Sequence, residues 1–158
     1  MALIEERRYV VSTRFGGTGG SQYWDDGLYH GVREITLHFN THINSIAVGY
    51  YKNGENINAE KHGGDGGNPI TITLAADEFI KNVSGYIVDG THWGTADYVI
   101  RSLKFQSNIR EYGPYGDEEG NPFTFIVNPG DKIIGFFGRN GSHLDAIGFH
   151  VALGIPHP

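Results

Sequence analysis

The chain of 158 residues contains no cysteine, which excludes a disulfide scaffold and any thiolate metal centre. Methionine occurs once, and no segment sustains the 3.6-residue apolar period of an amphipathic helix, which argues against a packed helical bundle. No stretch approaches the roughly 20 apolar residues with which a helix spans a bilayer. Positive charge is also short: 12 Lys and Arg stand against 18 Asp and Glu, a formal net charge of −6. Such a chain has no basic field to neutralise phosphates or anionic headgroups, so neither nucleic-acid partners nor membrane insertion is expected. The opening Met1–Arg8 segment has Glu5 and Glu6 ahead of its arginines and no apolar core, unlike a signal peptide, and a cytoplasmic location is expected.

What is abundant points to sheets. There are 24 glycines, and 13% of residues are aromatic, a profile of short strands joined by tight turns. The length suits one domain with a real core. Strand-like runs recur at Tyr9–Thr13, Arg33–Phe39, Ile46–Tyr51, Ile70–Leu74, Ile80–Val88, Val99–Gln106, Phe123–Val127, Lys132–Phe137 and Ala146–Leu153. Turn signals separate them, among them Asn53-Gly54, Asp89-Gly90 and Asn128-Pro129-Gly130. The one short helical candidate, Ala75–Ile80, reads better as a turn entering a strand.

Two interleaved sets of loops repeat. Glycine-rich segments begin at Gly16, Gly63 and Gly113, and candidate hairpin tips begin at Asn40, Gly90 and Gly141. Both sets suggest modules of about fifty residues and a pseudo-threefold arrangement.

More specific are Gly16–Gly20 followed by Trp24–Gly27 and Gly31–Ile35, then Asn82–Tyr86, Val99–Phe105 and Tyr112–Gly116 with Asn121–Phe123. Ile134–Arg139 leads into Gly141-Ser-His-Leu-Asp145, a G-x-x-x-D segment. In this order the motifs resemble the jacalin-related lectins, the mannose-type single uncleaved chain in particular, over about 14–153. The resemblance implies a β-prism I fold of three four-stranded Greek-key sheets. It also implies a metal-independent, cofactor-free, non-catalytic carbohydrate-binding protein. By the same resemblance the sugar site comprises Gly20, Gly141, Ser142, His143 and Asp145. Asp145 would accept from two sugar hydroxyls, and the N–H groups of Ser142, His143 and Gly20 would donate. A carboxylate suits this task because its two charged oxygens make stronger hydrogen bonds than a neutral acceptor. Read alone, Gly141 is an ordinary hairpin residue and Asp145 a solvated strand end, so Asp145→Ala is expected to leave the fold intact.

Galactose-binding members of that family are cut to free a glycine amine and carry aromatics in the tip. Here Arg14-Phe15-Gly16 is unbroken and the tip holds Ser142 and His143, which favours mannose- or glucose-type glycans and glycoproteins, with a galactose-preferring lectin as the alternative. Gly63, Gly64 and Asn44 are candidates for a second site weakened by an amide in the aspartate position. Trp93 either stacks on a longer glycan or caps the core. The eight histidines offer no metal-ligand spacing beyond His38 and His42, and no acid lies near that pair. The acidic run Asp117–Glu119 suggests a solvated loop more than the opposed carboxylates of a glycosidase. A non-catalytic protein-interaction module on the same fold is the remaining alternative. Weak monosaccharide binding makes a homo-oligomer expected.

Overall fold

The computed structural model describes residues 8–17, 22–89 and 98–154, and every regular element among them is a β-strand. Three antiparallel sheets result, each with a path of four strands. One internal sheet contains β4 (Gly31–Phe39) and β5 (Ile43–Lys52), flanked by β6 (Glu55–Asn58) and β8 (Asn68–Thr73), with the two-residue β7 (His62–Gly63) also on β5. The other internal sheet contains β9 (Ile80–Asp89) and β10 (Tyr98–Ser107), flanked by β11 (Glu111–Gly116) and β12 (Asn121–Ile126). The terminal sheet joins β13 (Lys132–Asn140) and β14 (Leu144–Ala152) to β1 (Tyr9–Val11), β2 (Phe15–Gly16) and β3 (Gln22–Asp25).

The same Greek key is written three times. A central hairpin takes one interrupted or bulged strand on its second member and a crossing strand on its first. β1 and β2 pair successive parts of β14 as β6 and β7 pair successive parts of β5, and β11 covers the matching length of β10 through a bulge. In the terminal sheet the flanking strands come from the N-terminal region and the hairpin from the C-terminal one. That arrangement closes the prism and explains why the sequence period is clear only in the loops.

The nine runs read from the sequence are all strands, and Ala75–Ile80 is a turn closed by the Glu78 N–H donating to the Ala75 carbonyl (3.1 Å). Strands β2, β3, β6, β7 and β11 escaped the sequence reading. Glu55–Asn58 is polar edge strand, and β11 carries Gly113 and Pro114, both disfavoured in strand interiors but tolerated at an edge.

Inward residues at alternate positions, such as Ile35 and Leu37, Ile46 and Val48, and Leu103 and Phe105, meet on the prism axis and are essentially inaccessible. Burying each such side chain fully is worth about 1.5–3 kcal/mol. Phe125 stacks on Phe149 (4.9 Å between centroids) and Phe15 on Phe123 (5.1 Å), joining the terminal sheet to the β9–β12 sheet. Buried polar groups interrupt this core, and the one centred on Asp26 bears on the loops. Asp26 accepts from the Tyr50 hydroxyl (2.7 Å) and contacts His62 Nε2 (2.6 Å), while the His62 ring stacks on Trp24 (3.9 Å). Burial, reinforced by the Asp26 carboxylate, pushes the Tyr50 hydroxyl well above the ordinary tyrosine range. Tyr50 is thus a fixed donor to Asp26, and its oxygen in turn accepts from the Phe136 N–H (3.1 Å). His62 is anchored here one residue before the Gly63–Gly67 loop.

Candidate functional site

The hairpin tips β4–β5 and β13–β14 and the glycine loops lie at one end of the prism. In the terminal sheet, β13 ends at Asn140 opposite Leu144, and Gly141–His143 cross between them. The Gly141 N–H donates to the His143 carbonyl (3.1 Å), which pins the tip. Among the described residues the N–H groups of Ser142 and His143 make no backbone hydrogen bond. Two donors therefore stand side by side on a pinned turn, just ahead of Asp145, the second residue of β14.

That carboxylate is not a solvated strand end. Asp145 is 5% exposed, and its carbonyl accepts from the Gly17 N–H (3.0 Å). The first glycine loop thus docks on the strand that carries Asp145, with Gly16 paired to Ala146. The expectation that Asp145 could be truncated without structural cost is corrected accordingly. Gly20 and Trp93 lie outside the described residues.

The β4–β5 tip repeats this geometry. Asn40 N–H donates to the His42 carbonyl (3.2 Å), Phe39 faces Ile43, and the Gly64 N–H donates to the Asn44 carbonyl (3.0 Å). Gly16 and Gly63 share a φ near +124° (+123° and +125°), a left-handed value that favours glycine and turns each loop away from its strand. Asn44 is 8% exposed and its Oδ1 has no partner among the described residues. A Cβ added at Gly67 would crowd the Asn44 amide oxygen, whereas one at Gly63 would meet the Asn44 backbone carbonyl.

Gly63 and Gly64 are engaged elsewhere. With the Asn140 amide oriented to satisfy both ends, Oδ1 accepts from the Gly63 N–H (2.6 Å) and Nδ2 donates to the Gln22 carbonyl (3.3 Å). A Cβ on Gly64 would collide with the Ser142 carbonyl. Both glycines thus brace the other tip, and their N–H groups are spent within the protein. The two tips also touch directly: the rings of His42 and His143 meet edge to face at 4.4 Å. Each Nδ1 faces the preceding hydroxyl, Thr41 at 3.2 Å and Ser142 at 3.4 Å. Burial lowers both imidazoles below their ordinary range, and for His42 the facing His143 and Arg101 add to the effect.

A cleft of about 570 Å³ opens at the ends of β9 and β10, with Asp89, Tyr98, Arg101, Glu119 and Asn121 on its walls. It adjoins the first glycine loop, because Gly17 packs on the Tyr98 backbone. Arg101 is ion-paired with Asp117 (3.3 Å) and Glu119 (3.5 Å). Two carboxylates drawn to one guanidinium do not make the opposed acid and base of glycoside hydrolysis. Among the described residues no three His, Cys, Asp or Glu side chains converge as a metal site would require.

The contacts that Asn140 and His42 make across the two tips were not read from the sequence, where His42 was weighed only as a metal ligand. The signal for His42 was present in the aligned tips Asn40-Thr-His-Ile-Asn44 and Gly141-Ser-His-Leu-Asp145, which carry a hydroxyl followed by histidine at the same offset.

Residues 12–150 match the family model of the jacalin-like lectin domain. Jacalin-related lectin 19 of Arabidopsis thaliana is 51% identical over 140 residues, covering 87% of this chain and 77% of that protein. A galactose-specific lectin of Morus indica is 41% identical over 147 residues, covering 87% of this chain and 90% of the other. A mannose-specific jacalin-related lectin from Morus nigra, solved with mannose, superposes with a TM-score of 0.87 at 39% identity, covering 97% of this chain and all of the other.

Proposed function

The chain belongs to the jacalin-like lectin domain family, and from that premise we propose that it binds mannose- or glucose-terminated glycans at the Gly141–Asp145 tip, without a metal and without catalysis. The observation that carries this reading is that the N–H groups of Ser142 and His143, without a backbone partner among the described residues, sit on a turn pinned by its own hydrogen bond just ahead of buried Asp145. A pyranose presents adjacent hydroxyls that both donate and accept. A site with fixed donors on one side and a charged acceptor on the other exchanges their water bonds without leaving a group unpaired.

The choice of sugar rests on local features, since relatives of comparable identity from one plant genus carry opposite names, mannose-specific and galactose-specific. Phe15 is held in β2 by pairing with β14 and is stacked on Phe123, so the chain entering the first glycine loop is bound into the sheet. The tip offers Ser142 and His143 where galactose-type members of the family place aromatics. Both features favour mannose.

A handful of exchanged hydrogen bonds at about 0.5–1.5 kcal/mol each gives monosaccharide affinity on the order of millimolar. Useful avidity then calls for several sites, and a homo-oligomer is part of this proposal. The outer strand β1, with Tyr9, Val10 and Val11 all exposed, offers an apolar edge, unpaired among the described residues, for such assembly.

Calorimetric titration with methyl α-mannoside and methyl α-galactoside, each in EDTA, tests the reading. Mannoside binding that survives the chelator supports it. Galactoside preference would transfer the site to the other sugar, and calcium-restored binding would end the metal-free account.

A further inference from the structure

The β4–β5 tip keeps the fold of a sugar loop but points its contacts at its neighbour. Three connections run from that module to the Gly141–Asp145 tip: the Gly63 N–H on Asn140 Oδ1, Gly64 beneath the Ser142 carbonyl, and the His42 ring edge against His143. Each reaches a residue at or next to the proposed donors. The module is itself anchored, since His62, one residue before Gly63, is held by buried Asp26 and stacked on Trp24.

We propose that His42 is a positioning residue for the glycan site: its imidazole, packed against His143, fixes the orientation in which the Ser142 and His143 N–H groups meet the sugar. This rests on the reading of Gly141–Asp145 as the primary site. The turn at Gly141–His143 has one internal backbone bond, so its twist about the hairpin axis is set by what presses on it from the side. Ser142 is exposed and His143 half-buried, and the side of His143 is covered by His42. Removing that ring opens a gap on a turn whose donors must be aimed to within tenths of an ångström of their acceptors.

The contact is also sensitive to charge. Among the described residues, the groups facing His42 include His143 across the contact and Arg101 from β10, with Asp117 and Glu119 ion-paired to that arginine. Protonating both imidazoles would set two cations edge to face beside a guanidinium, and the tips would part. The His42 contact therefore gives mannoside binding an acid limb that sets in below the ordinary histidine range, since burial lowers both imidazoles.

The test is calorimetric titration of methyl α-mannoside into the full chain and into His42→Ala, His42→Phe and Asp145→Ala, each at several values of pH from neutrality down. An aromatic contact of this kind supports about a three- to tenfold loss of affinity in His42→Ala at neutral pH, with the circular dichroism of the native chain retained. His42→Phe restores the ring edge, recovers most of that loss and flattens the acid limb. If His42→Ala binds within twofold of the native chain, or if His42→Phe keeps the full acid limb, the positioning role is overturned. If the native chain does not bind mannoside, or Asp145→Ala binds as well as the native chain, the primary-site reading itself fails, which is a distinct result.

Discussion

The Asn40–Asn44 and Gly141–Asp145 tips are two castings of one backbone. Each closes with an N–H to carbonyl bond across three residues, 3.2 Å in one and 3.1 Å in the other, and each takes a glycine loop through a 3.0 Å bond to the carbonyl of its last residue. Each carries a hydroxyl and then a histidine. They differ at their ends: asparagine replaces glycine at the start and aspartate at the finish. The closing amide is buried with an unsatisfied oxygen, a strained condition for a group that could otherwise pair. The difference teaches that the threefold fold supplies equivalent frames, while side-chain charge selects which frame can hold a sugar. A frame without that charge remains available for another task, here the support of its neighbour.

The strongest way to break the comparison is to remove the charge. Asp145→Ala should abolish measurable mannoside binding, because each unpaired hydroxyl costs about 1–3 kcal/mol and the starting affinity is only on the order of millimolar. As Asp145 is 5% exposed, the variant should also melt at a lower temperature, unlike a surface substitution, which shifts stability by about 0.5 kcal/mol or less. Titration and thermal melting together check this. Binding that persists would move the site elsewhere.

Gly64→Ala comes next. A methyl there meets the Ser142 carbonyl, and overpacking of this kind costs about 1–3 kcal/mol. Mannoside binding should weaken although the substitution lies in the other module, and the melting temperature should fall. An unaffected titration would show that the two tips are independent.

These contacts mark the limit of what the sequence disclosed. Nine strands and the threefold loop spacing were legible, because alternation of apolar residues and glycine punctuation are local signals. Edge strands such as Glu55–Asn58 were not, since Ile57 is the one apolar residue in that strand and gives no alternation to read, and the strand is held by pairing with β5. The tip residues 141–145 stood out as a motif. The burial of Asp145 did not, because it depends on the Gly17 loop arriving from more than 120 residues away. The His42–His143 contact likewise joins residues about a hundred positions apart. Residue type is written along the chain, but which tip leans on which is decided by the closure of the prism.

A smaller effect concerns acid. The His42 and His143 imidazoles are lowered below 6.5 in the folded protein, mainly by burial. Above 6.5 they are neutral in both states and cost nothing. As the pH falls below 6.5 the unfolded chain takes up protons that the folded chain resists, so stability declines, and the loss is complete once the folded groups have also titrated. Urea melts from pH 7.5 downward should show this decline, reduced in His42→Phe. A flat profile would argue against burial of the pair.

The smallest effect is expected for Asn44→Ala. Its amide oxygen has no partner to lose, so binding at the other tip should stay within about twofold and stability should change by less than about 1 kcal/mol. A large loss of mannoside binding would mean that the weakened tip is itself a sugar site.

The most direct measurement is a titration of the isotopically labelled protein with methyl α-mannoside, followed amide by amide by nuclear magnetic resonance. The N–H signals of Ser142 and His143 should move most, saturating on one millimolar-range curve, while those of Thr41 and Asn44 move little. Saturating shifts centred on residues 40–44, or no shifts at 142 and 143 while binding is evident by calorimetry, would contradict the assignment of the Gly141–Asp145 tip as the glycan site.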